Sequence, residues 1–238
     1  MGRGCNGYQR KARDMKVAIY TLTRDRLDYT KHCFGRFREK AGYPYDHFVV
    51  DNYSVDGTRE WLKTQEFKEV LLLDENKGIS RGSNLAVDMI IRGDYDLIIK
   101  MDNDCEVVSN KILSRVVSLY EGIKPFDKNY VLSPYVHGIK KQPIRARHFG
   151  LSGFRIGITA IVGGLFHIVP RKVYEGYRYP ETLPLAWGQD DDFCGWVKDN
   201  GGNVGYIEGL EVNHYETTAG QAQRYPDYFE RKWKEERK

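Results

Sequence analysis

Cysteine is scarce in this 238-residue sequence: only Cys5, Cys33, Cys105 and Cys194 occur, with no C-x-x-C spacing among them. That pattern excludes a disulfide-stapled scaffold, a zinc knuckle and a redox pair, and makes a reducing cytoplasm the expected setting. Long hydrophobic runs are also missing, and nothing approaches the roughly 18 apolar residues a membrane span needs. No apolar segment follows the basic residues Arg3, Arg10, Lys11 and Arg13. The chain is therefore expected to be neither a secreted precursor nor an integral membrane protein. Excess charge is small as well: 37 basic against 33 acidic residues leave +4, too little by itself to mark a nucleic-acid binder. What remains is a globular composition, 41% apolar, which excludes intrinsic disorder and suits one domain.

From Met15 onward, apolar runs and amphipathic stretches alternate. Lys16 to Leu22 reads as a buried strand and Leu27 to Ala41 as a helix that ends before Gly42 and Pro44. His47 to Val50, Glu69 to Leu73 and Leu97 to Met101 are further strands, with helices over Gly57 to Thr64 and Ser80 to Ile91. This alternation predicts βαβ units with right-handed crossovers, hence an α/β fold with a largely parallel sheet covered on both faces. After Tyr120 the rhythm breaks. Tyr130 to Tyr135 and Gly163 to Val169 read as strands separated by a long polar insert, followed by a helix at Asp190 to Asp199 and a strand at Asn203 to Ile207. Residues 1–14 are a basic arm, expected to be flexible, ahead of a single domain over 15–238.

In open α/β sheets, ligands gather at the carboxyl ends of strands, so the residues just past those ends carry the candidates. Asp102-Asn103-Asp104 follows the fourth strand directly. Two carboxylates one residue apart suit a hard cation such as Mg²⁺ or Mn²⁺, although a polar loop capping the next helix would look similar. Asp51-Asn52-Tyr53-Ser54-Val55-Asp56-Gly57-Thr58 closes the second strand. Asp51 could accept the imide N–H of a uracil, and an Asx-turn is the plain alternative. In Asn76-Lys77-Gly78-Ile79-Ser80-Arg81-Gly82-Ser83-Asn84, the glycines allow close approach of backbone to phosphate and Arg81 adds a forked cation. The plain alternative there is an ordinary helix start.

Together with Tyr20-Thr21-Leu22-Thr23-Arg24, these segments resemble the nucleotide-sugar half of GT-A glycosyltransferases, specifically the glycosyltransferase family 2 pattern. The resemblance covers about residues 16 to 107. It implies the GT-A fold, a Rossmann-like, mostly parallel central sheet flanked by helices. Residues 15–107 would bind the nucleotide sugar and 108–225 the acceptor. Trp187-Gly188-Gln189-Asp190-Asp191-Asp192-Phe193 is similar to the family's G-E-D-x-D segment, with Gln189 in place of Glu and Trp196 where a basic residue is common. The resemblance implies Asp190 as general base and Asp192 as an acceptor contact or loop-fixing carboxylate. The plain alternative is that they are first-turn charges on a helix dipole. It further implies a metal held by Asp104 and His214, with Asp102 on the ribose or in the metal shell. Thr21, Arg24, Asp51, Asn52, Asn76, Gly78, Arg81, Asp102 and Asn103 would serve the donor. A nucleoside diphosphate sugar (a UDP-sugar favoured), a divalent cation (Mn²⁺ ahead of Mg²⁺) and inversion at the anomeric carbon complete the expectation.

The acceptor is less determined. Between Lys128 and Lys172 there is no acidic residue, yet Lys128, Lys140, Lys141, Arg145, Arg147, Arg155, Arg171 and Lys172 fall there. This basic insert, 128–172, suits a glycan or lipid-linked glycan presented at an anionic surface. Duplex DNA with a hydroxymethylated base is the alternative, with Tyr135, His148 and Phe149 available to stack. A non-catalytic nucleotide-sugar-binding module is a third reading. A nucleotidyltransferase fits poorly, because no Gly-rich basic loop follows the first strand. Tyr215 to Tyr228 is expected to close over the donor, and the charged tail, 226–238, either docks back or stays mobile.

Overall fold

The computed structural model describes residues 14–123, 129–138, 147–151, 153–185 and 188–236. The basic arm up to residue 13, the insert residues Lys128, Lys140, Lys141 and Arg145, Trp187 and the last two residues lie outside the described residues.

Strand and helix alternate through β1 (Val17–Thr23), α1 (Leu27–Lys40), β2 (Asp46–Asp51), α2 (Thr58–Leu62), β3 (Glu69–Leu72), α3 (Gly78–Ile91) and β4 (Leu97–Met101). β5 (Cys105–Val107), α4 (Ile112–Ile123), β6 (Tyr130–His137), β7 (Arg147–Leu151), β8 (Phe154–Ile158) and β9 (Phe166–Pro170) follow. The chain then forms α5 (Arg171–Gly176), α6 (Gln189–Asp199), β10 (Asn203–His214), α7 (Thr218–Arg224) and α8 (Pro226–Glu236). One mixed sheet carries strands from both halves in the order β3-β2-β1-β4-β9-β6-β10-β8-β7, with β5 paired to β10. Its first four strands are parallel.

The parallel quartet follows from composition. β1 and β4 read as near-continuous apolar runs because helices cover both of their faces, and all five residues of β4 are buried. Gly82 serves packing rather than phosphate: a Cβ there would lie 3.2 Å from both Leu22 methyls, so the glycine lets α3 sit close on β1.

Three features depart from the sequence expectations. The polar insert contains the β7–β8 hairpin, which pairs with β10 through β8. β10 runs seven residues past Ile207, through a register shift near Gly209 (φ 75°), and ends at His214. The acid-free segment is not one surface among its described residues. Arg171 caps α3, donating to the carbonyls of Ile91 (2.9 Å) and Gly93. Leu97 of β4 pairs with Pro170 and Met101 with Phe166, so Arg171 and Lys172 lie at the end of the sheet opposite Asp102. Arg155 pairs with Glu208 at 3.5 Å.

Thr21 is also reassigned. It is fully buried and shares a 3.0 Å hydrogen bond with His47 Nε2, so it braces β1 against β2 and does not reach the donor cleft. Burial, reinforced by Arg38, pushes the His47 imidazole down to about 3. The unfolded chain protonates His47 below about 6.5 while the folded one does not. Its contribution to stability is therefore complete above that pH and falls as pH drops from 6.5 toward 3, by about 1.4 kcal/mol per unit. Thermal unfolding between pH 7 and pH 4 is expected to show this slope, and His47→Gln is expected to flatten it.

Candidate active site

A cleft of about 240 Å³ opens at the carboxyl ends of β1, β2 and β4. Antiparallel pairing of β10 with β5 sets His214 opposite Cys105, directly beside the D-x-D segment, although more than a hundred residues separate them in sequence. His214 Nδ1 bonds the Glu216 carbonyl at 2.7 Å, and its Nε2 faces Asp104 Oδ2 at 3.7 Å. The expected Asp104–His214 pair is thus brought together.

Both D-x-D carboxylates already have a cationic partner. Arg26 donates to Asp104 Oδ2 (2.8 Å), to Asn103 Oδ1 (2.9 Å) and to Gln221 Oε1 (2.7 Å). Asp25 and Arg26 both have positive φ (52° and 60°), and this two-residue left-handed turn precedes α1 as Arg26 enters the cleft. Burial alone would raise the Asp104 carboxyl, but Arg26, His214 and Gln221 outweigh it and hold it at about 2. Asp102 Oδ1 accepts from Lys100 Nζ at 2.6 Å. The sequence reading missed Arg26 and Lys100. Their signals were a second arginine in the Thr-Arg-Asp-Arg turn and the one charged residue in the strand Leu-Ile-Ile-Lys-Met.

Asn52, Asn76, Gly78 and Arg24 line the cleft with Asp102, Asn103 and Asp104. Asp51 does not: it is fully buried, and its oxygens accept from Thr23 Oγ1 (2.9 Å), Ser54 N (3.0 Å) and Ser54 Oγ (2.5 Å). The carboxylate holds the turn closed, and Thr23, not Thr21, presents the strand end to the cleft. Asn52 joins the two loops through Asn76 Oδ1 (2.8 Å) and the Lys77 amide (2.8 Å). Gly78 has φ 76°, and a Cβ there would lie 2.8 Å from Leu185 Cδ2, so its close neighbour is the Leu185 segment. Arg81 turns away from the cleft and pairs with Glu181 at 2.8 Å on the surface.

The tail docks. Tyr228, Phe229, Lys232 and Glu235, on one face of α8, form a wall of the cleft. Arg26 lies 4.9 Å from the centre of the Tyr228 ring, Glu235 bonds Arg24 (2.8 Å) and Asn76 (2.6 Å), and Arg231 pairs with Asp25 at 2.5 Å. Of the two outcomes expected for the charged tail, docking back is the one observed over Pro226–Glu236.

Asp190 sits in the first turn of α6, after Gly188 in the left-handed conformation. Its Oδ2 accepts the Gly164 amide at 2.7 Å. Asp192 accepts from the Tyr177 hydroxyl at 2.7 Å and so ties α6 to the segment after α5. Trp196 packs on Tyr177, with ring centres 5.4 Å apart.

The donor set allows a divalent cation at two protein ligands. With His214 Nδ1 held by a carbonyl, Nε2 is the acceptor turned toward Asp104, the arrangement that orients a metal-binding imidazole. Both carboxylates enter this arrangement already partnered, Asp102 through Oδ1 by Lys100 and Asp104 through Oδ2 by Arg26 and Gln221. Among the described residues no group of three or more His, Cys, Asp or Glu side chains could hold a metal ion. Remaining positions would fall to diphosphate oxygens and water, as is usual for Mg²⁺-like ions.

A parallel βαβ quartet with D-x-D after its fourth strand and a late histidine beside it is the build of a GT-A nucleotide-sugar site. The family model for glycosyl transferase family 2 matches residues 18–160, and the chain belongs to that family. Solved structures share the fold. S. aureus TarS is similar with a TM-score of 0.64 at 13% identity, over 89% of this chain and 38% of TarS. GalNAc-T7 with UDP, GalNAc and Mn²⁺ gives 0.65 at 12%, over 86% and 44%. The mannosyltransferase PcManGT from Pyrobaculum calidifontis with GDP-Man and Mn²⁺ gives 0.64 at 14%, over 94% and 65%. The chain thus spans between about a third and two thirds of these proteins. No curated protein matches the sequence. Among the described residues no helix is long and apolar enough to cross a membrane.

Proposed function

We propose that this chain moves a sugar from a nucleoside diphosphate sugar, a UDP-sugar by preference, to an acceptor hydroxyl on a glycan or lipid-linked glycan, with inversion. The observation that carries this reading is the pairing of Asp104 with His214 at the strand ends, with Asp190 nearby on α6 beyond Lys100 and Gly164. Asp190 takes the proton of the acceptor hydroxyl. The freed oxygen bonds the anomeric carbon as the bond to the diphosphate breaks, and that bonding pair leaves with the nucleotide. Arg24, paired with Glu235, and Lys232 line the cleft and would meet the diphosphate as cations. Asn52 and Asn76, bonded to each other, to Lys77 and to Glu235, would shape the wall against the nucleoside. Asp104 and His214 would hold a divalent cation, which supplies charge neutralisation to the leaving diphosphate. TarS has been solved with UDP-GlcNAc and GalNAc-T7 with UDP, which supports the choice of nucleotide.

The test is nucleotide release from UDP-, GDP- and dTDP-sugars with Mn²⁺ or with EDTA, with and without hydroxymethylated duplex DNA. Mn²⁺-dependent release from a UDP-sugar, with no mass added to the DNA, is the expected result. A hexose or pentose mass on the DNA would transfer the acceptor assignment to nucleic acid. No release from any donor would favour a non-catalytic binding module.

A further inference from the structure

Lys100 is an unusual residue for its position. It is the fourth residue of a strand buried on both faces, its side chain is 7% exposed, and its neighbours on β4 are Ile99 and Met101. A lone ammonium there is unfavourable unless it is paired and hydrogen-bonded. Lys100 Nζ has two direct partners: Asp102 Oδ1 at 2.6 Å and the Gly164 carbonyl. The Gly164 amide in turn donates to Asp190 Oδ2 at 2.7 Å. One peptide segment therefore links the ammonium to Asp190. A Cβ built on Gly164 would lie 2.5 Å from Asp190 Oδ1 and 2.9 Å from Lys100 Nζ, so the carboxylate and the ammonium converge on the space this glycine leaves free. Burial disfavours the charged Lys100, and the neighbouring carboxylates Asp102 and Asp190 oppose that by raising it above the ordinary lysine range.

We infer that Lys100 is a positioning residue that, through its ammonium and Gly164, sets Asp190 at a defined distance from Asp102 and so aligns the base with the donor. This rests on the proposed role of Asp190. Without the cation, two partly buried carboxylates repel, Asp190 loses its register against Gly164, and the acceptor hydroxyl is no longer held in line with the anomeric carbon. Asn52, Asn76 and Arg24 line the cleft without bonding Lys100, which meets the donor side through Asp102 alone, so the loss is expected to fall more on kcat than on donor KM.

The experiment is a double-mutant cycle of Lys100→Met and Asp190→Asn, read in kcat and donor KM with whichever sugar nucleotide the release panel turns over, and in thermal unfolding. Lys100→Met is expected to lower kcat on the order of a hundredfold with a smaller change in donor KM. The double variant is expected to be no slower than Asp190→Asn alone, because both changes remove the same aligned base. Gly164→Ala, which keeps Lys100 but fills the shared space, is expected to lower kcat as well, and it substitutes for Lys100→Met if that variant does not fold. Unimpaired kcat in Lys100→Met, or losses that multiply in the double variant, would overturn the inference. So would unfolding energies that add without coupling, whether or not any donor is turned over. If Asp190→Asn itself keeps full turnover, the base assignment fails, a result separate from failure of Lys100 alone.

Discussion

Asp190→Asn is expected to lower turnover by a factor of about 100 to 10,000, the usual contribution of a general base, while UDP binds as before. The substitution is nearly isosteric, and the amide oxygen of Asn can still accept the Gly164 N–H, so the first turn of α6 keeps its anchor. What disappears is the capacity to take a proton. Asp191 provides the control. It is exposed in the same helical turn, so if these acids served only the helix dipole, Asp191→Asn and Asp190→Asn would behave alike. The release assay run on both variants, with calorimetric titration of UDP, separates the two readings. Equal activities would remove Asp190 from the chemistry.

Arg26→Met is expected to cause the largest loss of stability. Asp104 is almost completely buried, and Arg26 is the cation in hydrogen-bonding contact with it, the same guanidinium also serving Asn103 and Gln221. Removing one partner of such a pair leaves an uncompensated charge and costs about 3–5 kcal/mol. For a chain of this size that is a fall of roughly 10 °C in Tm. Arg26→Lys is expected to recover only part of it, since an ammonium cannot reach Asp104 and Asn103 in the forked geometry of a guanidinium. Mn²⁺ is expected to raise the Tm of Arg26→Met more than that of the parent protein, because a cation at Asp104 and His214 replaces the missing countercharge. Equal shifts in both proteins would argue against Asp104 as a metal ligand.

Local sequence carried the first half of the molecule. Parallel strands covered by helices must be apolar on both faces, so the runs at Val17–Thr23 and Leu97–Met101 were legible without any partner in view. The D-x-D segment was legible because paired carboxylates at a strand end are an unusual use of charge. The second half was harder to read. β7 and β8 depend on pairing with β10 rather than on their own periodicity, and β10 passes through a register shift that interrupts its alternation. Closeness in sequence does not make the basic insert one surface, because Arg171 and Arg155 sit on different elements with their own carboxylate partners.

The sequence by itself determined the α/β class, the strand ends that bear the site, and the family. The first two come from periodicity and short spacing, which neighbouring residues encode directly, and the third from the resemblance of the motifs at those strand ends. Only the tertiary structure decided which polar groups face the cleft. Asp51 and Thr21 are of the right type but are consumed by internal hydrogen bonds. Arg26, Lys100 and the α8 face enter the site because a left-handed turn, a buried strand position and a docked helix bring them there. Hydrogen-bond satisfaction is a property of the packed interior, where each buried donor must find one acceptor, and no single segment specifies how that competition ends.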